Sequence, residues 1–131
     1  MPYKQIYLCI INFQPIVHTT YSNIFFAIGI NYKKTDAQKR GDFAISIDQY
    51  QALTLKASTF GISDFFVLST CNRTEIYGLA NNAEALINLL CSETVGSKES
   101  FLQLCYIKKE IEAIKHIFCV AAGLDSQILG F

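Results

Sequence analysis

Ser69-Thr70-Cys71-Asn72-Arg73-Thr74-Glu75 is the run with the clearest potential for chemistry. Cys71 has polar neighbours on both sides, whereas Cys9, Cys91, Cys105 and Cys119 sit mostly inside apolar segments, where a thiol acts as a small hydrophobe. A thiol in a polar turn is reachable, and a nearby guanidinium favours the thiolate, the form that attacks carbonyl carbon. Arg73 could play that part, or could grip a carboxylate in a bidentate fork. A turn cysteine without chemistry is the bland alternative, and no general spacing rule decides against it. His116, between Lys115 and Ile117 in a segment of helical period, could serve proton transfer or be an ordinary helix histidine.

These residues need a scaffold, and the apolar pattern supplies one. Ile24 to Ile30 is a bulky apolar run that reads as a buried strand, and the polar stretch Asn31 to Gly41 reads as an exposed loop. Asp48 is a plausible N-cap for a helix with Tyr50, Leu53, Ala57 and Phe60 on one face, ended by Gly61. Phe65 to Leu68 and Glu75 to Ala80 read as strands, joined by the tight polar knot that holds Cys71. Asn82 opens a second helix through Ala85, Leu86, Leu89 and Leu90, which stops before Gly96-Ser97. Leu102 to Ile107 suits either a fourth strand or a helical turn from Ser100. Glu110 to Ala122 then places Ile111, Ile114, Ile117, Phe118 and Ala121 on one helical face, with Gly123 as the stop. The order βαββαβ followed by α predicts an α+β protein, a ferredoxin-like sandwich with an antiparallel sheet, helices on one face and a C-terminal helix.

Length and composition narrow the function classes. The 131 residues suit one domain, and 51% hydrophobic with 17% charged residues, but no apolar run of membrane-spanning length, suits a globular chain. Eleven basic residues balance eleven acidic ones, so any contact with nucleic acid must be local. Five cysteines, odd in number and without CxxC spacing, fit a reducing cytoplasm. Met1 to Asn23 shows no convincing cleavage site for a signal peptide, and reads as an extension or an upstream segment translated from a misplaced start.

Three blocks carry a family resemblance. Val67-Leu68-Ser69-Thr70-Cys71-Asn72-Arg73-Thr74-Glu75-Ile76-Tyr77 resembles the signature of glutamyl-tRNA reductases. His116-Ile117-Phe118-Cys119-Val120-Ala121-Ala122-Gly123-Leu124-Asp125-Ser126 is similar to that family's other hallmark, and Gly29-Ile30-Asn31 with Lys33 and Thr35 to its opening strand and loop. The blocks run in the family's order over residues 25 to 130, leaving residues 1–24 as an N-terminal extension outside the match and 25–131 as the N-terminal catalytic domain.

The resemblance implies that Cys71 attacks the aminoacyl ester of glutamyl-tRNA and forms a thioester. It implies His116 near the carbonyl, and Thr70, Arg73 and Ser126 around the glutamate moiety. The chemistry agrees: an imidazole can donate to an oxyanion or the departing ribose oxygen, Arg73 suits the side-chain carboxylate, and short hydroxyls suit an ammonium group. Ser126 could equally be a helix-end residue. The family reduces the thioester with NADPH to glutamate-1-semialdehyde for tetrapyrrole synthesis. No GxGxxG turn follows any strand, so the NADPH-binding and dimerisation domains are expected to be absent from this chain. The full-length protein is expected to be a homodimer, with glutamate-1-semialdehyde aminomutase as a channelling partner. No metal and no membrane contact are expected.

Lys33, Lys34, Lys39 and Arg40 suit acceptor-stem phosphates as well as a solvated loop. Gly41 stands where the family usually has glutamate, Tyr32 where it has histidine, and Phe131 where a glutamate follows Leu-Gly. Two other functions fit the same residues: a ferredoxin-like binding or regulatory module, and a degenerate paralogue that binds tRNA without acylation.

Overall fold

Alternation along the first strand sets the two faces of the sheet. In the computed structural model, which describes residues 23–125, β1 (Ile24–Asn31) turns Phe26, Ile28 and Ile30 to a large apolar core and Phe25 and Ala27 to the opposite face. Expectations for residues 1–22 and for Ser126 lie outside the described residues. β2 (Phe65–Ser69), β3 (Arg73–Ala80) and β4 (Tyr106–Lys109) complete an antiparallel sheet of order β2-β3-β1-β4. This is the expected ferredoxin-like sandwich. Among the described residues no helix is long and apolar enough to cross a membrane.

The first crossover contains α1 (Ala37–Asp42), α2 (Ile47–Lys56) and a 3-10 turn at Ala57–Phe60; the second contains α3 (Ala83–Cys91) and α4 (Lys98–Leu104). Leu53, Leu86, Ile87, Leu89, Leu90 and Phe101 are buried against Ile28, Ile30 and Ile76 on the core face. Complete burial of one such side chain stabilises by about 1.5–3 kcal/mol. Asn82 caps α3 through Ala85 N, as the sequence predicts.

Three readings of the sequence are corrected, and the open choice at 102–107 is resolved. The 31–41 stretch is not wholly a loop, because Asp36 accepts a hydrogen bond from Lys39 N and caps α1. Ser46, not Asp48, caps α2, with Gln49 completing a capping box. Both alternatives for 102–107 occur in succession: buried Phe101 and the Ser97 cap hold α4 as far as Leu104, and β4 then begins at Tyr106. The stripe predicted for the last helix, α5 (Ile111–Ala121), meets the sheet only in part: Ile117 packs against Ala27 and Tyr77, and the rest of the stripe is more exposed. Ile111 and Phe118 are 60% and 70% exposed, while Ala113 is fully buried against Ala27 and Tyr77. Polar groups on this second face call for a hydrogen-bonding partner from α5, and that requirement sets the rotation of the helix.

The cysteine reading also changes. Cys91 and Cys105 are only half-buried, although burial still pushes the Cys91 thiol up to about 11, and Cys119 is exposed. Cys119 lies on a face of α5 that is exposed among the described residues, and Cys9 lies outside them.

Candidate active site

The β2–β3 turn presents Cys71 to solvent and is braced from several directions. Thr70 N donates to Arg73 O at 2.8 Å and closes the turn. Asn72 N donates to Thr70 Oγ1 at 3.2 Å, and Tyr32 N to Asn72 O at 2.9 Å. Ser69 Oγ accepts from Ile45 N at 3.0 Å and meets Thr74 Oγ1 at 3.0 Å. From α1, Arg40 Nε donates to Cys71 O at 2.9 Å while its Nη1 donates to Thr35 O at 2.6 Å. Arg40 therefore ties α1 to the cysteine backbone, a contact the sequence reading missed. The available signal was Asp36, a cap residue three positions before Lys39.

Behind the turn, β3 alternates in the opposite sense: Arg73, Glu75 and Tyr77 face α5. The Glu75 side chain is fully buried and accepts hydrogen bonds from Tyr77 Oη at 2.9 Å, from Tyr106 Oη and from His116 Nε2, with Arg73 Nη1 at 3.5 Å. Burial alone pushes this carboxyl up, but the bonds from His116 and Tyr106 outweigh it and hold Glu75 below the usual carboxylate range. With Glu75 ionised, Nε2 of His116 carries the proton and Nδ1 is the nitrogen left over. Burial followed by the Glu75 charge raises Tyr77 and Tyr106 well above an ordinary phenol.

Gly29 makes room for this group. It pairs with Glu75 across the ladder, and a Cβ there would lie 2.7 Å from Glu75 Cγ and 2.4 Å from Thr74 O. Sequence reading singled out neither Glu75 nor its tyrosines, though Arg73, Glu75 and Tyr77 at alternate positions are a readable face.

Arg73 is buried and turned toward α5: its Nη1 lies 3.3 Å from Asp125 Oδ2, and Nη2 donates to Asp125 O. Desolvation pulls this guanidinium down, but Glu75, Tyr106 and Asp125 more than offset it and the net shift is upward. Asp125 also accepts from Lys33 Nζ, so one carboxylate joins two cations.

The proposed residues thus divide into two groups. Cys71 and Thr70 open on a groove of about 680 Å³ whose wall includes Arg40 and Ala44. His116 lines a separate depression of about 400 Å³ with Lys33, Tyr106, Lys108 and Asp125. Among the described residues no hydrogen bond joins Cys71 to His116, and the Arg73 guanidinium belongs to the His116 side. Lys33 and Arg40, read as free loop cations, are both engaged with partners inside the chain.

The family described as the N-terminal domain of glutamyl-tRNAGlu reductase matches residues 28–130. A relative from Flavobacterium psychrophilum named glutamyl-tRNA reductase is 52% identical over 108 residues, covering 82% of this chain and 26% of the relative. One of the same name from Christiangramia forsetii is 48% identical over 113 residues, covering 86% and 27%. The solved glutamyl-tRNA reductase from Methanopyrus kandleri aligns with a TM-score of 0.60 at 27% identity, covering 79% of this chain and 23% of that one. The chain spans about a quarter of the length of the curated relatives it matches.

Proposed function

Because the chain belongs to the family of glutamyl-tRNA reductase N-terminal domains, we propose that Cys71 is the nucleophile that takes the glutamyl group from glutamyl-tRNA. The thiolate attacks the carbonyl carbon of the aminoacyl ester, a C–S bond forms, and the C–O bond to the ribose breaks. The ribose oxygen takes up a proton, leaving a thioester and free tRNA. The observation that carries this reading is an exposed thiol on a turn whose backbone is fixed from β1, α1 and β3. A fixed nucleophile loses little freedom on reaching the transition state.

Arg73 binds the side-chain carboxylate of the glutamyl group. Support comes from Asp125, whose carboxylate already bridges Arg73 and Lys33 and so occupies the position such a ligand would take. Thr70, on the Cys71 side, and Ser126 supply hydroxyls for the ammonium group. His116 is held through Nε2 by Glu75, and in its imidazolium form it carries on Nδ1 the proton that the ribose oxygen takes up. A substrate that uses all of these groups runs from Cys71 past Arg73 into the His116 depression.

In the whole enzyme, reduction of the thioester to glutamate-1-semialdehyde draws on NADPH, and the product feeds tetrapyrrole synthesis. The described glycines do not fit a dinucleotide cradle: Gly29 and Gly78 are packed within strands, Gly41 lies inside α1, Gly61 and Gly123 end helical segments, and Gly96 lies against Phe43. No hydride step is assigned to these residues. A homodimer, and an aminomutase receiving the aldehyde, belong to the whole enzyme on this reading.

The separation of Cys71 from His116 favours a second reading, in which the domain binds glutamyl-tRNA without acylation. Single-turnover release of free tRNA distinguishes the two. The proposal predicts Cys71-dependent release that is abolished in Cys71→Ala, and equal rates in the two proteins would overturn it.

A further inference from the structure

Glu75, Gly29 and Tyr106 form one row across three strands, because Gly29 pairs with Glu75 on β3 and with Tyr106 on β4. Gly29 has no side chain, so the Tyr106 hydroxyl reaches across it and donates to Glu75 Oε2, the same oxygen that holds His116 Nε2. Resting on the role of His116 given above, we propose that Tyr106 is a positioning residue for the proton donor. By sharing Oε2 with His116, it fixes the imidazole plane and moderates the carboxylate charge that the imidazolium meets.

Geometry separates Tyr106 from the other donors. Tyr77 Oη and Arg73 Nη1 approach Glu75 Oε1, at 2.9 and 3.5 Å, so it is Tyr106 and not Tyr77 that shares an oxygen with the histidine. The Tyr106 ring also lies against the imidazole, with centroids 5.2 Å apart at 56°, and walls the same depression. One contact holds His116 at Nε2 and the other at its face.

A buried carboxylate beside an imidazole favours the imidazolium, and an acid held too tightly gives up its proton slowly. A second donor on the accepting oxygen weakens that hold. Burial and the Glu75 charge raise the Tyr106 phenol well above its ordinary range, so it stays a neutral donor while His116 titrates. The other charges near the imidazole are largely matched: Asp125 meets Arg73 and Lys33, and Glu112 lies 3.6 Å from Lys115. Half-buried Lys108 and exposed Cys119 complete the ionisable lining of the depression among the described residues. Oε2 therefore dominates the field at His116, and Tyr106 adjusts it without adding a charge.

The test is an NMR pH titration of the His116 ring in the 131-residue chain labelled with ¹⁵N-histidine, its signals identified by their loss in His116→Gln. Tyr106→Phe keeps the ring contact and removes only the hydroxyl, so the His116 midpoint should rise by about one pH unit. Tyr77→Phe acts on the other oxygen and should move it less. In single-turnover glutamyl transfer, Tyr106→Phe should carry the alkaline limb of the rate profile upward by the same interval and slow tRNA release about threefold on the plateau. A hydroxyl that serves only the fold would lower stability and leave both midpoint and limb in place; that result, or a midpoint that falls, would overturn the assignment. A second variant carries 3-fluorotyrosine at position 106. Its more acidic phenol donates more strongly and should lower the midpoint, and an unchanged or raised midpoint there would count against the proposal. A shifted midpoint in a chain that transfers no glutamyl group would sink the acylation reading alone, whereas transfer with the midpoint unmoved in Tyr106→Phe would sink this inference alone.

Discussion

On one face of the sheet Ile28, Ile30 and Ile76 meet Leu53, Leu86 and Leu89, whereas on the other Gly29, Glu75 and Tyr77 meet Tyr106 and His116. The first face is held by apolar burial, which is non-directional and tolerant of small shifts. The second is held by hydrogen bonds to a buried carboxylate, which fix orientation and become costly when one partner is lost. The Cys71 turn joins both, because Ser69 and Thr74 tie it toward α2 while Arg73 and Glu75 anchor it toward α5. The turn owes its stability to one face and the orientation of its charged groups to the other.

That contrast can be broken most forcefully on the apolar side. Leu89→Ala, at a fully buried position, should lower the unfolding free energy by about 4 kcal/mol in urea denaturation, through lost burial and the cavity left behind. Glu75→Gln should cost about 3 kcal/mol, since Arg73 and His116 lose their common anion inside the protein. It should also change the pH profile. The Glu75 pKa is lowered in the folded state, so its contribution is present above the unfolded value of about 4.5 and is lost as pH falls through the folded value. The acid limb of the wild-type stability curve should therefore be steeper than that of Glu75→Gln, and coincident curves would show that the carboxylate does not bind the second face together. Tyr77→Phe removes one of the donors to Glu75 and should cost about 1.5 kcal/mol in the same denaturation assay. Away from both faces, Lys56→Met breaks a partly exposed pair with Glu93 and should change stability by less than about 0.5 kcal/mol. A larger effect there would mean that surface pairing matters more than the contrast allows.

The strands and the longer helices were legible because burial writes a period into the sequence: β1 is a continuous apolar run, and α3 repeats leucine at helical spacing. α1 was not legible for the converse reason, since it buries no residue and so leaves no apolar period. In α5 the sequence revealed an apolar stripe but not which side would meet the sheet. Its rotation follows Glu75, and a glutamate in an alternating strand reads as solvent-facing until the tyrosines and His116 are seen around it. The exposure of Cys71 was readable from its polar neighbours. The Arg40 brace was not, because it spans 31 residues and depends on α1 existing.

Intact-mass spectrometry of the chain after incubation with glutamyl-tRNA tests the central claim most directly. The account predicts a mass gain of one glutamyl group on the wild-type protein, mapped to Cys71, removed by hydroxylamine and absent from Cys71→Ala. A wild-type protein that binds glutamyl-tRNA and remains unmodified, or an adduct that survives in Cys71→Ala, would contradict it.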